Sequence, residues 1–226
     1  MRYLVPDFLE KLRLDFVAAA FTVRDGFLIP SDLPATRTEK IVMPKKVIWL
    51  EQVHSNTIFT IGNLPDVDKY IGKEADGLIT NLRSVALSVH TADCAPVALI
   101  DTQGRAIALL HAGWRGANSG IIMNGVFQML SLGILPKDIF AYIGPTISAN
   151  DYEVGEEFFQ KFPKSTVKRG DRILFDLPGE IERQLIELRI TNIEKFPLST
   201  FSNPWLHSNR RDGDQAGRIE FFLWLK

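Results

Sequence analysis

The stretch Pro96–His111, PVALIDTQGRAIALLH, decides how the chain folds. PVALI and AIALLH are apolar at nearly every position, and DTQG between them has the chemistry of a tight turn. A strand that alternates in polarity has one wet face, whereas one that is apolar throughout is covered on both. The stretch therefore reads as two consecutive buried strands. Outward from it, VIWL (47–50), TIFTI (57–61), GLIT (77–80) and VALSV (85–89) are short β-rich runs bounded by turn signals.

The pattern changes after His111. In IIMNGVFQMLSLGI (121–134), Ile121, Ile122, Val126, Met129 and Leu130 recur at helical spacing and predict an amphipathic helix. IFAYIG (139–144) predicts another buried strand. YEVGEEFFQKF (152–162) and PGEIERQLIELRI (178–190) predict helices, the second with Pro178 near its start. GRIEFFLWLK (217–226) reads as a core strand. Residues 1–30 read as short strands and a turn, and 31–46 as a polar loop with at most one helical turn. Strands dominate early and helices enter late, which predicts an α+β protein with mixed β-sheets packed with helices. With no repeat, low-complexity tract or Gly/Ser linker, residues 1–226 are expected to form a single compact domain.

Composition removes several classes of function. The formal net charge is −1, so no overall attraction to nucleic acid or an anionic membrane follows. Apolar runs are far too short to span a bilayer. The N-terminal sequence lacks an apolar segment followed by a small-residue cleavage site. A single cysteine rules out an internal disulfide, and a cytoplasmic location is expected.

That cysteine, Cys94, lies in VHTADCAP (89–96), at the turn between two predicted strands. His54 lies in QVHSN between two others, and His111 ends AIALLH. Strand ends beside turns are where a scaffold presents side chains to a cleft. Two imidazoles and one thiolate would make three ligands of a catalytic zinc, leaving one position open. Their spacing matches no short zinc motif, so a buried thiol with ordinary hydrogen-bonded histidines stays open on the residues alone. Asp93 is a candidate general base or partner of a ligand. HAGWRG (111–116) places Gly113, Gly116 and Arg115 together, a combination suited to an anion such as phosphate.

Further runs appear in order: EQVHSNTI, ADGLITN, HTADCAPVALID, ALLHAGWRGANSG, YIGPTISANDYEVGEEF, FDLPGEIERQL and RRDGDQAGRIEFFLWL. On these the chain resembles the bacterial laccase-domain family, whose members are named polyphenol oxidases or purine nucleoside phosphorylases. The likeness extends from about residue 47 to the end, and more faintly from FTVRDG. It implies a mixed sheet packed between helices and a metal triad of His54, Cys94 and His111, with His90 outside it. It also implies phosphorolysis of adenosine, inosine, guanosine or methylthioadenosine, with adenosine deamination as a companion activity. The expected partners are thus a purine nucleoside and phosphate, in a monomer or homodimer. Arg24 matches an arginine of the family's N-terminal motif and is expected at the phosphate; no role is assigned to Arg37. The chain departs from the family pattern in a shortened segment at 22–40, in a cysteine missing from PLSTFSNPW, and in WLHSN before the paired arginines.

The metal is expected to be zinc, with copper as the alternative. Four histidines are too few for a multicopper cluster, though a lone His₂Cys copper centre with a weak axial Met stays open. A third reading is a metal-free hydrolase with Cys94 as nucleophile and His111 as base.

Overall fold

The two runs that frame DTQG form an antiparallel hairpin, paired from Ala95–Ala112 to Ile100–Ile107. Gly104 has φ +73°, the left-handed conformation glycine tolerates best, and a Cβ there would lie 2.8 Å from the Phe16 ring. The carboxylate of Asp101 closes the turn by accepting from the Arg105 amide and guanidinium, each at 2.8 Å.

The computed structural model describes residues 2–11, 14–26, 36–37, 41–83 and 85–226. Its strands are β1 (Arg2–Pro6), β2 (Val17–Val23), β3 (Thr36–Arg37), β4 (Lys46–Ile48), β5 (Ile58–Ile61), β6 (Gly77–Thr80) and β7 (Val85–Thr91). They continue as β8 (Ala95–Asp101), β9 (Ile107–Ala112), β10 (Ile139–Ile143), β11 (Thr166–Arg169), β12 (Arg172–Phe175), β13 (Asn192–Lys195) and β14 (Ile219–Leu225). The helices are α1 (Phe8–Lys11), α2 (Trp114–Ser119), α3 (Ile121–Ser131), α4 (Glu157–Lys161), α5 (Leu177–Glu187) and α6 (Asn209–Asp212).

One sheet has the order β3-β1-β2-β14-β7-β4 and the second β13-β10-β8-β9-β6-β5; β11 and β12 form a separate hairpin. Both large sheets are mixed, with parallel pairs β4–β7, β5–β6 and β10–β13. The α+β assignment from sequence holds. The layering differs from a sheet between helices. The two sheets pack face to face through Phe21, Leu87 and Phe221 on one side and Ala98, Ile100, Leu109 and Tyr142 on the other. The opposite face of the second sheet, with Val97, Leu99, Ala108 and Leu110, is covered by α3 and α5. This explains why β8 and β9 are apolar at nearly every position: alternate residues face a second sheet and a helix layer.

The α3 residues Ile121, Ile122, Val126 and Met129 are buried as their spacing predicts. Helix α5 starts where Pro178 suggests, its N-terminus capped by Asp176, which accepts from the Gly179 amide. β14 is central in its sheet, between β2 and β7. Two local expectations change. The run 152–162 is helical only over Glu157–Lys161, because Tyr152–Val154 pairs its backbone with β12: the Val154 amide donates to Ile173 O, and the Phe175 amide to Tyr152 O. HAGWRG, whose two glycines read as a turn, instead opens α2 from Trp114. β13 and the β11–β12 hairpin were not expected. Of the predicted loop at 31–46, residues 31–35 and 38–40 lie outside the described residues; 36–37 form β3 and Lys46 opens β4.

Candidate metal centre and active site

The β8–β9 ladder places Cys94. Pairing Ala95 with Ala112 puts the preceding residue, Cys94, opposite Gly113. His111 enters from the end of β9, and His54 from the connection between β4 and β5. The three ligand atoms all lie within 4.8 Å of one another. Cys94 Sγ is 3.8 Å from His54 Nε2, and the imidazoles of His54 and His111 meet edge to face at 4.8 Å between centroids.

Asp76, at the entry to β6, builds this arrangement. It is fully buried, and its Oδ1 lies 2.8 Å from His111 Nδ1. That bond leaves Nε2 of His111 as the nitrogen free to meet a metal ion. The same carboxylate accepts the consecutive amides of Val53, His54 and Ser55 at 3.3, 3.0 and 2.6 Å, and the Ser55 hydroxyl at 2.7 Å. One buried anion thus orients one histidine and wraps the loop that carries the other. His54 has φ +60° and Asp93 φ +88°, conformations that cost about 1–3 kcal/mol each and concentrate at functional sites. Gln52 ties the His54 loop to β7: its Nε2 donates to His90 O at 2.8 Å and its Oε1 accepts from His90 N at 2.7 Å.

Burial opposes ionisation of Cys94, but hydrogen bonds and charge from His111 and His54 outweigh it and bring the thiol down to about 6. Burial likewise disfavours protonated His111, yet Asp76 and Cys94 raise it to about 9. The carboxyl of Asp76 is held below its usual range: burial works against this, and the bonds from His111 and Ser55 prevail.

The triad lies in the wall of a cavity of about 600 Å³ that also presents Gln52, His90, Asp93, Trp114, Arg115, Tyr152, Asn209, Arg210 and Arg218. Of the residues expected from sequence, His54, Cys94, His111, Asp93 and Arg115 are brought together here. The carboxylate of Asp93 is engaged at both oxygens, by Thr200 Oγ1 at 2.6 Å and the Arg210 amide at 2.6 Å. Gly113 lines up against the triad: a Cβ there would sit 2.7 Å from Cys94 Sγ and 3.1 Å from His54 Cδ2. Gly116 packs on the His54 loop, where a Cβ would be 3.2 Å from Ser55 O. Arg24 is outside the cavity wall and forms an ion pair with Asp212 at 2.9 Å. His90 lines the cavity beside Glu220, with Nε2 3.6 Å from Oε1, and burial lowers its pKa. Burial raises the pKa of Tyr152.

Sequence reading missed Asp76, Tyr152, Arg210 and Arg218. Asp76 carried a legible signal: an acid directly before an apolar strand, in ADGLIT, needs donors if it is buried. The others are gathered from distant segments and have no local signature.

Fold and cavity together define an α+β protein whose sheets gather His54, Cys94 and His111 into a group that could hold a metal ion. A family model described as multi-copper polyphenol oxidoreductase laccase matches residues 35–226, and the chain belongs to that family. It is 37% identical over 188 residues to a purine nucleoside phosphorylase of Corynebacterium glutamicum, covering 80% of this chain and 75% of the relative. It is 31% identical over 191 residues to the purine nucleoside phosphorylase YfiH of Escherichia coli, covering 81% and 75%. Among solved structures it matches the hypothetical protein YfiH of Bacillus licheniformis with TM-score 0.81 at 22% identity, covering 100% of this chain and 97% of that one. A Neisseria meningitidis protein matches with TM-score 0.77 at 24% identity over the whole of both chains. These two likenesses establish the fold. Among the described residues no helix is long and apolar enough to cross a membrane.

Proposed function

We propose that the chain is a zinc-dependent purine nucleoside phosphorylase, converting adenosine, inosine, guanosine or methylthioadenosine and phosphate into free base and pentose 1-phosphate. The observation that carries this reading is the cluster of His54, Cys94 and His111 in the wall of a cavity that also presents the guanidinium of Arg115. The names of the relatives support the reaction class. The donor set fits a metal: two imidazoles and a thiol of lowered pKa within reach of one another, one imidazole oriented by a buried carboxylate.

Zinc fits these donors better than copper. A blue-copper centre adds a long, weak axial ligand, a methionine, glutamine or backbone oxygen; no methionine lines the cavity among the described residues, and both amide atoms of Gln52 are bonded to the His90 backbone. His207 is also outside the wall, so three histidines at most face the cavity, too few for a multicopper cluster. When bound, zinc would supply Lewis-acid stabilisation of developing charge. The protein's own groups have separate tasks. Arg115 holds phosphate, Trp114 and Tyr152 offer aromatic walls to the nucleoside, and Gly113 keeps room beside Cys94. Asp93 orients the chain around Cys94 through the bonds it accepts from Thr200 Oγ1 and the Arg210 amide. Phosphorolysis proceeds through an oxocarbenium-like state, so positioning the nucleophile and stabilising charge are the main requirements.

A second reading is favoured by one observation. Asp76, His111 and Cys94 are linked in series like the orienter, base and nucleophile of a cysteine hydrolase. It assigns His54 no role.

Incubating the protein with adenosine, with and without phosphate, separates these readings. Adenine and ribose 1-phosphate formed only with phosphate support phosphorolysis. Free ribose supports hydrolysis, and inosine reports the companion deamination. His54→Ala abolishes phosphorolysis under the zinc reading and is tolerated by a Cys–His hydrolase.

A further inference from the structure

The cavity wall carries more positive charge than the triad explains. Arg115, Arg210 and Arg218 all line it, and none of them is paired with a carboxylate among the described residues. Asp93, the one acid among the described residues of that wall, already accepts from Thr200 and the Arg210 amide. The wall is net cationic, and a cleft lined by one sign of charge concentrates anions.

Two of the arginines are held in the same way. The Arg115 guanidinium lies 4.5 Å over the Trp114 ring, and that of Arg210 lies 5.1 Å over the Tyr152 ring. These rings belong to one aromatic assembly. Trp114 packs on Phe158 at 5.2 Å, Phe158 on Phe175 at 5.1 Å, and Tyr152 on Phe175 at 5.6 Å. A guanidinium stacked on a ring keeps its N–H edge free for an oxyanion. Arg210 is further fixed by its Nη1, which donates to Glu153 O at 2.7 Å, and by its backbone amide on Asp93, the residue next to Cys94.

From this arrangement we infer that Arg115 and Arg210 form a two-guanidinium clamp for inorganic phosphate, spaced by the Trp114–Phe158–Phe175–Tyr152 assembly, with Asp93 as the strut that ties Arg210 to the Cys94 turn. The inference rests on the phosphorolysis reading, which names phosphate as co-substrate, and assigns a site residue from the C-terminal segment. It leaves Arg24 to its partner Asp212.

The test is binding of inorganic phosphate to the metal-containing protein as purified, measured by calorimetry without nucleoside. Arg115→Gln and Arg210→Gln each weaken binding at least about tenfold, as expected for the loss of one charge-assisted contact. Arg210→Lys, which keeps the charge and loses the planar fork, falls between Arg210→Gln and wild type. Lys168→Gln, on β11 and outside the cavity wall, leaves binding unchanged. In turnover, Arg210→Gln raises the KM for phosphate and leaves that for the nucleoside near its wild-type value, a split that general disturbance of the fold does not give. Phosphate binding that is absent from wild type, or equal in wild type and Arg210→Gln, overturns the clamp. So does adenosine 5′-phosphate losing affinity in the variants while inorganic phosphate does not, since the arginines would then serve a substrate's own phosphate. If the clamp binds phosphate but no nucleoside is cleaved, the clamp stands and the phosphorylase reading falls.

Discussion

Gly113→Ala adds one methyl group beside the candidate metal ligands. Gly113 has φ −82° and ψ 174°, extended backbone that alanine adopts without strain, so the consequence is steric. The new Cβ would lie 2.7 Å from Cys94 Sγ and 3.1 Å from His54 Cδ2. Ordinary nonbonded contact is about 3.5–4.0 Å, so the sulfur must retreat by roughly 1 Å. Metal sites hold their ligand distances within about 0.2 Å. The methyl therefore removes Cys94 from the ligand set or displaces it together with His54. Changing a residue that merely orients a ligand weakens metal binding about 10–100-fold, and Gly113→Ala should reach the upper end of that range. Overpacking adds about 1–3 kcal/mol of destabilisation, a fall of roughly 2–4 °C in Tm per kcal/mol for a chain of this size. The assay is metal content after purification, followed by competition with a chelator of known affinity. Gly116→Ala is the comparison, because its Cβ would meet Ser55 O at 3.2 Å and no ligand side chain. Wild-type metal affinity in Gly113→Ala would refute the placement of Cys94 as a ligand.

Asp76→Asn keeps the shape of the carboxylate but offers one acceptor oxygen to groups that now use two, so metal affinity falls about 10–100-fold in the same chelator assay. Asp76→Ala also leaves buried donors unmet, at about 1–3 kcal/mol, and lowers Tm further. In protein stripped of metal, Cys94 is half ionised at about 6 and His111 loses its proton at about 9, so the thiolate–imidazolium pair exists between those values. The rate of Cys94 alkylation by iodoacetamide should rise with a midpoint near pH 6, shift upward in His111→Ala, and fall sharply when zinc is added. The Asp101 carboxyl is lowered: burial opposes this, and the Arg105 bonds prevail. Its stabilisation is therefore complete above the unfolded value of about 3.9 and is lost as pH falls through the lower folded value. Asp101→Asn should cost about 1–3 kcal/mol at pH 7, with the gap in Tm from wild type closing below about pH 4.

The parts of this molecule legible in the sequence are those where one strand or helix carries its own pattern. The β8–β9 hairpin is apolar because both of its faces are covered, and α3 shows its buried stripe by spacing. β13 was missed because NIEK has no apolar alternation; its parallel pairing with β10 supplies the order. Tyr152–Val154 reads as the start of a helix, and only its pairing with β12 overrides that. The candidate ligands His54, Cys94 and His111 stand out as scarce residue types beside predicted strands. Their convergence follows from register, which puts Cys94 opposite Gly113. Asp76 and Arg210 act through neighbours distant in sequence, from His54 to His111 and from Asp93 to Tyr152, and such contacts exist only once the sheets have formed.

Under the zinc reading, nucleoside cleavage by phosphate depends on metal held by His54, Cys94 and His111. Its most direct test is to strip the metal, titrate zinc back, and follow phosphate-dependent release of ribose 1-phosphate from adenosine. The predicted result is activity that rises in proportion to zinc and saturates at one ion per chain, with none regained by His54→Ala. Activity that survives stripping unchanged, or that appears without phosphate as free ribose, would contradict it.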